Sequence, residues 1–403
     1  MQLSQIEQSI KETIKKYDVI EDIAIYIKNG NEDFEFSLND IELKYCIGSI
    51  TKVFTAFGVM MLREDGKLNL DDLIETHIPE LKAIKYANDN CPRISIRDLI
   101  THHSGVIRDI PEQIEESYEL VFDYLTKEAA PVTPRIAYSY SNVGYSLLGM
   151  LIERLSGLTY EDFISNNLLS VLGLKESFFK LDEVNFGIGN ASGALFSTLK
   201  DMKKFCEYCS SPNCLKSINP YIQFEMQKLS FQGRMIEGGL GWHIDRGVIG
   251  HDGCYFPYQS HFWFDPVKNF SVIILLKVKN ESELALSFDI LERVYEQLGL
   301  SFNSYLANFV NDLSMYFNEG KNLIFKDIIS DDFFKEFGVE QLQTIFSDLK
   351  EKLGFVKSTK VHELTSFKEA NIEFVGERNR LLFNLVKGTD DRISSLLVKS
   401  LPK

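Results

Sequence analysis

Ile47-Gly48-Ser49-Ile50-Thr51-Lys52 opens a run whose apolar residues, from Val53 and Phe54 through Phe57 to Leu62, fall at helical spacing up to Gly66. Ser49 and Lys52 stand three apart, so a helix starting here presents both on one face. A serine hydroxyl is a poor nucleophile until a base takes its proton. Lysine can be that base if burial among Val53, Phe54 and Phe57 lowers its pKa towards neutrality. Ser49 at the helix start also meets the positive end of the helix dipole. Its own N–H is placed to bind a developing oxyanion. The tetrapeptide alone is weak evidence, because Ser-x-x-Lys recurs at Ser177, Ser197, Ser347 and Ser400. The bland alternative is a surface serine beside a solvated lysine.

Two further patterns follow in order. Tyr140-Ser141-Asn142 precedes a helical run, and His251-Asp252-Gly253 lies in the strand-like stretch Val248–Tyr255. Tyr140 offers a phenol that, beside a lysine ammonium, would ionise below its usual ~10 and act as general base, then as acid to the leaving group. The Asn142 amide can donate to a substrate carbonyl and accept from a substrate N–H. Its bland reading is a helix N-cap. Gly253 would let a substrate backbone approach closely. His251 and Asp252 would line the same wall, and the N–H of Cys254 would be a second oxyanion donor. An Asp252 carboxylate there would repel substrates with a terminal carboxylate; the alternative is that it points away from the cleft, since strand side chains alternate faces.

Composition limits the partners. The chain has 403 residues, is 44 % hydrophobic and carries a net charge of −15 with its basic residues scattered. Nucleic acid and anionic membranes demand clustered Lys and Arg, so neither is expected as a partner. A small-molecule or peptide substrate is, while the oligomeric state stays unknown. No apolar run approaches the ~18 residues of a membrane span. Leu3, Ile6, Ile10, Ile14 and Tyr17 instead mark an amphipathic surface helix, with Ser4 and Glu7 as its capping box. The expected location is the cytoplasm, or outside it if a signal segment has been trimmed away. The six cysteines, at 46, 91, 206, 209, 214 and 254, read as reduced thiols. Cys206-x-x-Cys209 with Cys214 lacks a fourth ligand nearby, so no metal and no cofactor are expected.

Strands are expected at Ile23–Ile27, Phe34–Phe36 and between Gly238 and Val278, with mostly helical sequence from about 70 to 210 and a helix over Glu281–Leu298. That order predicts an α/β (α+β) fold: an antiparallel sheet built from both ends of a unit spanning 1–300, flanked by helices, with an all-helical subdomain inserted. Beyond Gly299 a helix over Tyr305–Phe317, two shorter helices and four strand-like runs predict a small α+β accessory domain over 301–403.

Read together, residues 1 to 300 resemble the serine β-lactamase and penicillin-binding-protein superfamily, in its branch of class C β-lactamases, D-peptidases and family VIII-type esterases. Ile47–Lys52 resembles the nucleophile motif, and Glu64-Asp65-Gly66-Lys67-Leu68 with Asp71-Asp72 its continuation. The stretch Ile96–Gly105 resembles a loop segment of the family, Tyr138–Tyr145 the second motif, Gly193–Thr198 the segment before a core helix, and Gly250–Gly253 the third motif in its histidine form. The resemblance implies acylation of Ser49, an oxyanion hole from the Ser49 and Cys254 N–H groups, and no metal. Two departures bear on the substrate. Asp252 stands where the family usually has Thr, Ser or Asn, and Pro257 where glycine is usual. The expected function is a serine hydrolase working through acyl-Ser49 on a peptide, amide or small ester. The rivals are an acyltransferase on a metabolite or carrier-bound peptide, and a non-catalytic acyl-binding or scaffold protein.

Overall fold

The computed structural model describes residues 19–39, 43–86, 91–111, 117–127, 133–135, 139–179, 187–211, 237–245, 248–265, 269–280, 331–366, 369–387 and 393–400, together with isolated helical positions at 7, 8, 10–12, 14, 290, 291, 294, 313 and 316–318. Strands β1 (Ile20–Asn29) and β2 (Glu32–Ser37) form a hairpin. A two-stranded ribbon pairs β3 (Tyr45–Cys46) with β4 (Phe196–Ser197). Then come β5 (Glu237–Gly238), β6 (His243–Asp245), β7 (Val248–Tyr255), β8 (Tyr258–Asp265) and β9 (Phe270–Val278). The main sheet runs β2-β1-β9-β8-β7-β6-β5, antiparallel throughout. Its N-terminal hairpin joins the later strands where β1 pairs with β9, in register from Asp22↔Lys277 to Asn29↔Phe270.

Both faces of this sheet are covered, and the period of two along each strand sorts the side chains. Ile23, Ile25, Ile27, Trp263, Val272, Ile274 and Leu276 pack on the outer face with Ile10 and Ile14 of the first helix and with Ile290, Leu291 and Val294. Ala24, Tyr26, Phe262, Phe264, Ile273 and Leu275 face the helices inserted between the strands. Those helices include α1 (Thr51–Glu64), α2 (Ile96–Ile100), α3 (Asn142–Ser156) and α4 (Leu199–Ser210). Helix α1 is buried along almost its whole length, because it lies between the sheet and the other helices. Phe54 stacks on Phe205 of α4, ring centroids 4.3 Å apart, and Phe57 lies tilted against the same ring at 5.5 Å. Cys206 and Cys209 sit buried in α4, where burial pushes the Cys206 thiol up to about 12. Cys214 lies outside the described residues.

At the C-terminal end, α5 (Asp331–Leu353) is divided at Gly338, whose φ of 69° and ψ of 165° are not helical, so the two shorter helices expected there meet at that residue. Four strands follow, β10 (Val356–Ser366), β11 (Glu369–Gly376), β12 (Arg380–Lys387) and β13 (Ile393–Ser400), in a separate antiparallel meander. The helices expected over Glu281–Leu298 and Tyr305–Phe317 fall mostly outside the described residues. Among the described residues, no helix is long and apolar enough to cross a membrane.

Candidate active site

The Ser49 segment is clamped from two sides. The Ile47 N–H donates to the Leu195 carbonyl at 2.9 Å, continuing the β3–β4 ribbon. The Ser260 hydroxyl of β8 donates to the Ile47 carbonyl at 2.8 Å. Gly253 lies opposite Ser260, and a Cβ there would come within 1.9 Å of the Ile47 carbonyl oxygen. The close approach that Gly253 permits is therefore that of the protein's own backbone, and not, as expected above, that of a substrate. Gly48 takes a φ of +51°, and a Cβ on it would stand 2.7 Å from the Cys254 nitrogen. The end of β7 is thus held against the turn that carries Ser49. This places the backbone nitrogens of Ser49 and Cys254 in one neighbourhood.

Ser49 sits in a 3-10 turn (Gly48–Ile50) that runs into α1. Lys52, one turn on, is fully buried. Its Nζ lies 3.0 Å from Ser49 Oγ and donates to the Ser192 carbonyl at 2.6 Å. Burial holds the Lys52 pKa well below lysine's ordinary value; nearby Asp109 pulls it up and Arg108 down. The lowered pKa makes this amine a better candidate to take the Ser49 proton than an ordinary lysine, with one N–H spent on the Ser192 carbonyl.

Tyr140 shares a hydrogen bond with the Ser49 hydroxyl. The Lys52 Nζ lies 5.0 Å from its ring centroid and 5.6 Å from that of Tyr145. Burial raises the Tyr140 pKa above its ordinary value, and the Ser49 hydrogen bond and the Arg108 charge only partly oppose that rise. The expectation of a readily ionised phenol is corrected here. It left out the burial of the phenol itself, which disfavours the phenolate.

The loop from Thr101 to Asp109 holds Tyr140 in place, and sequence reasoning gave it no such role. His102 adopts a φ of 58°. Its carbonyl accepts from the Ser139 N–H at 2.7 Å, and its Nδ1 accepts from the Ser141 N–H at 3.0 Å. An Nδ1 that accepts leaves the proton on Nε2. The His102 ring stacks on Tyr140, centroids 4.3 Å apart. Ser141 caps α3, accepting from the Gly144 N–H at 2.8 Å and donating to the Ile107 carbonyl at 2.7 Å. Asn142 is thus the first helical residue and not the cap. Its Nδ2 donates to Asp109 Oδ1 at 2.6 Å, and its backbone N–H donates to the Arg108 carbonyl at 2.9 Å. The Arg108 guanidinium carbon is 5.3 Å from the Tyr140 ring centroid.

His251 faces the helices, paired across β7 and β8 with the inward Phe262. It is buried and stacks on His243 with centroids 4.3 Å apart; Tyr140 lies at 6.5 Å. Its Nδ1 lies 2.6 Å from the Asp252 carbonyl, which can only accept, so Nδ1 carries the proton. Burial, His243 and Lys52 together hold the His251 pKa well below its ordinary value.

Asp252 is one residue further along β7 and faces the other way. Its Oδ1 accepts from the Trp263 indole N–H at 2.7 Å and contacts His261 Nδ1 at 2.6 Å, and Trp263 belongs to the outer-face core. Asp252 is thereby corrected as a substrate-binding residue: alternation along the strand sends its carboxylate through the sheet to the far face.

A model of the Beta-lactamase family matches residues 39–293. "Protein flp" of Staphylococcus aureus (strain COL) is 22 % identical over 319 residues, which cover 69 % of this chain and 63 % of that protein. "Beta-lactamase-like protein 2" of Dictyostelium discoideum is 28 % identical over 193 residues, 40 % of this chain and 34 % of that one. The chain thus spans under two thirds of the length of these curated relatives. Among solved structures, a class C beta lactamase superposes with a TM-score of 0.60 at 18 % identity, over 72 % of this chain and 98 % of that one. A class C beta lactamase from Rhodobacter sphaeroides superposes with a TM-score of 0.58 at 16 % identity, over 72 % and 99 %. With a family match across more than half its length, the chain belongs to the Beta-lactamase family.

Proposed function

We propose that this protein is a serine hydrolase that acts on a peptide, amide or small ester through an acyl-Ser49 intermediate. The observation that carries the reading is the buried Lys52 amine 3.0 Å from Ser49 Oγ, its pKa lowered by burial. Ser49 Oγ bonds to the substrate's carbonyl carbon while its proton passes to Lys52 Nζ. The carbonyl oxygen becomes an oxyanion held by the N–H groups of Ser49 and Cys254. On collapse, the bond to the leaving group breaks. The Lys52 ammonium returns the proton to that group, directly or through the neutral Tyr140 hydroxyl, which gives one proton and takes another. Water then attacks the acyl carbon and releases Ser49 by the same steps in reverse. His102 and the N-cap of α3 keep Tyr140 against Ser49, so the relay is assembled before substrate arrives.

Intact-protein mass spectrometry after exposure to a fluorophosphonate, a β-lactam panel and simple esters tests the reading. One adduct on Ser49 is expected, absent from Ser49→Ala. An unlabelled wild-type protein, or an adduct that persists in Ser49→Ala, overturns it.

A further inference from the structure

The withdrawal of Asp252 leaves the charge at the mouth of the site to be set by other groups. Lys52 is buried, and burial depresses the pKa values of Lys52, His102 and His251. Arg108 remains permanently charged. Its side chain is 69 % exposed, yet its backbone is fixed, because its carbonyl accepts from the N–H groups of Asn142 and Val143 at 2.9 and 3.3 Å. Its Nε donates to Asp109 Oδ2 at 3.1 Å. The other Asp109 oxygen is taken by the Asn142 amide. Asp109 therefore orients the guanidinium by its inner edge and has both oxygens occupied. Among the described residues, the terminal nitrogens Nη1 and Nη2 make no hydrogen bond, while the guanidinium carbon stands 5.3 Å from the ring of Tyr140, itself bonded to Ser49.

We infer that Arg108 is a specificity-determining residue that binds a carboxylate on the substrate, near the scissile carbonyl. The guanidinium's free end is a planar pair of donors matched to the two oxygens of a carboxylate. It is presented to solvent beside the nucleophile on a tethered loop, so little ordering is needed when the ligand docks. This reverses the preference against acidic substrates that an inward Asp252 would impose. The inference rests on Ser49 being the nucleophile.

The test uses two fluorophosphonates of equal length, one ending in a carboxylate and one in a carboxamide. Their rates of Ser49 labelling are measured by intact mass on the full-length wild type, Arg108→Gln and Arg108→Lys. The acid-to-amide rate ratio is expected to fall about tenfold in Arg108→Gln, and less in Arg108→Lys, which keeps the charge but loses the fork. In the wild type the ratio should decline as salt rises, since an exposed charge is screened. A ratio in Arg108→Gln equal to that of the wild type overturns the assignment while leaving Ser49 as nucleophile. If neither probe labels Ser49 in the wild type, the nucleophile reading fails and this inference with it.

Discussion

Gly253 and Ile47 meet backbone to backbone, with room for no side chain between them: a Cβ at position 253 would lie 1.9 Å from the Ile47 carbonyl oxygen. Relief would require the Ile47–Ser49 turn to part from β7, and with it the pairing of the Ser49 and Cys254 nitrogens. Gly253→Ala is expected to slow Ser49 labelling at least a hundredfold, the scale of losing one oxyanion donor, ~10²–10³. Ser260→Ala removes only the hydroxyl bond to Ile47 and should cost about 1 kcal/mol of stability. Labelling kinetics and thermal melts on the two variants separate the effects. Near-normal labelling of a folded Gly253→Ala protein would show that this contact does not set the Ser49 geometry.

Asp252 is expected to matter for stability and not for substrate choice. Asp252→Ala removes the carboxylate that accepts from the Trp263 indole N–H in the outer-face core. A loss of about 1–3 kcal/mol in denaturant unfolding is expected. The acid-to-amide labelling ratio should stay at the wild-type value, in Asp252→Thr as well. A selective gain with acidic probes in Asp252→Thr would return Asp252 to the cleft.

The pH dependence should follow Lys52. Its pKa in the folded protein lies well below lysine's ordinary 10.5, so the amine stays neutral as pH drops beneath 10.5 and is protonated only at the lowered value. Labelling of Ser49 should therefore be lost on the acid side, and the raised Tyr140 pKa should keep the phenol protonated through neutral pH. The linkage sign is that of a depressed group: the unfolded lysine takes up its proton first, so stability falls with pH from 10.5 down to the folded pKa. Lys52→Met should be inert to labelling yet more stable at neutral pH, by about 1.4 kcal/mol for each tenfold by which burial weakens the amine's basicity. Chemical unfolding at several pH values checks this. A Lys52→Met protein no more stable than the wild type would mean the lysine is not held neutral.

The C-terminal unit is proposed to fold apart from the core. Among the described residues, strands β10 to β13 pair only with one another, and the family match ends at residue 293. A protein of residues 1–300 should fold cooperatively and still label at Ser49, with an altered substrate preference. Failure of that fragment to fold would join the two units into one core.

The positions of Ser49, Lys52 and Tyr140 are legible in the sequence because helix geometry and motif order constrain them locally. Residue spacing alone puts Lys52 one turn from Ser49. Asp252 is misplaced when period-two alternation is not carried through from His251: if one faces inward, the next cannot. The difficulty at Gly253 is of another kind. A glycine announces a close approach but not what approaches, and Ile47 arrives from a distant part of the chain. The ionisation of Tyr140 is beyond local reading, since its sign depends on how completely the fold buries the phenol itself. His102, Arg108 and Asp109 lie in or beside a segment with a recognisable motif, yet their roles come from a loop held by long-range bonds such as Arg135 N–H to the His103 carbonyl, 2.8 Å.

The pairing of β1 with β9 has a consequence for biosynthesis. Ile20 meets Val278, and Asn29 meets Phe270, so the β1–β2 hairpin emerges from the ribosome long before its partner strand is made. The sheet cannot close across β1 and β9 until translation has passed residue 278. Until then the outward Ile23, Ile25 and Ile27 have no β9 beside them, and the wall that carries His251 and Cys254 has nothing to anchor it against Ser49. A nascent chain should thus gain its reactive serine late and in a single step, as a long-range closure. Fluorophosphonate labelling of arrested nascent chains would then time the completion of the whole fold.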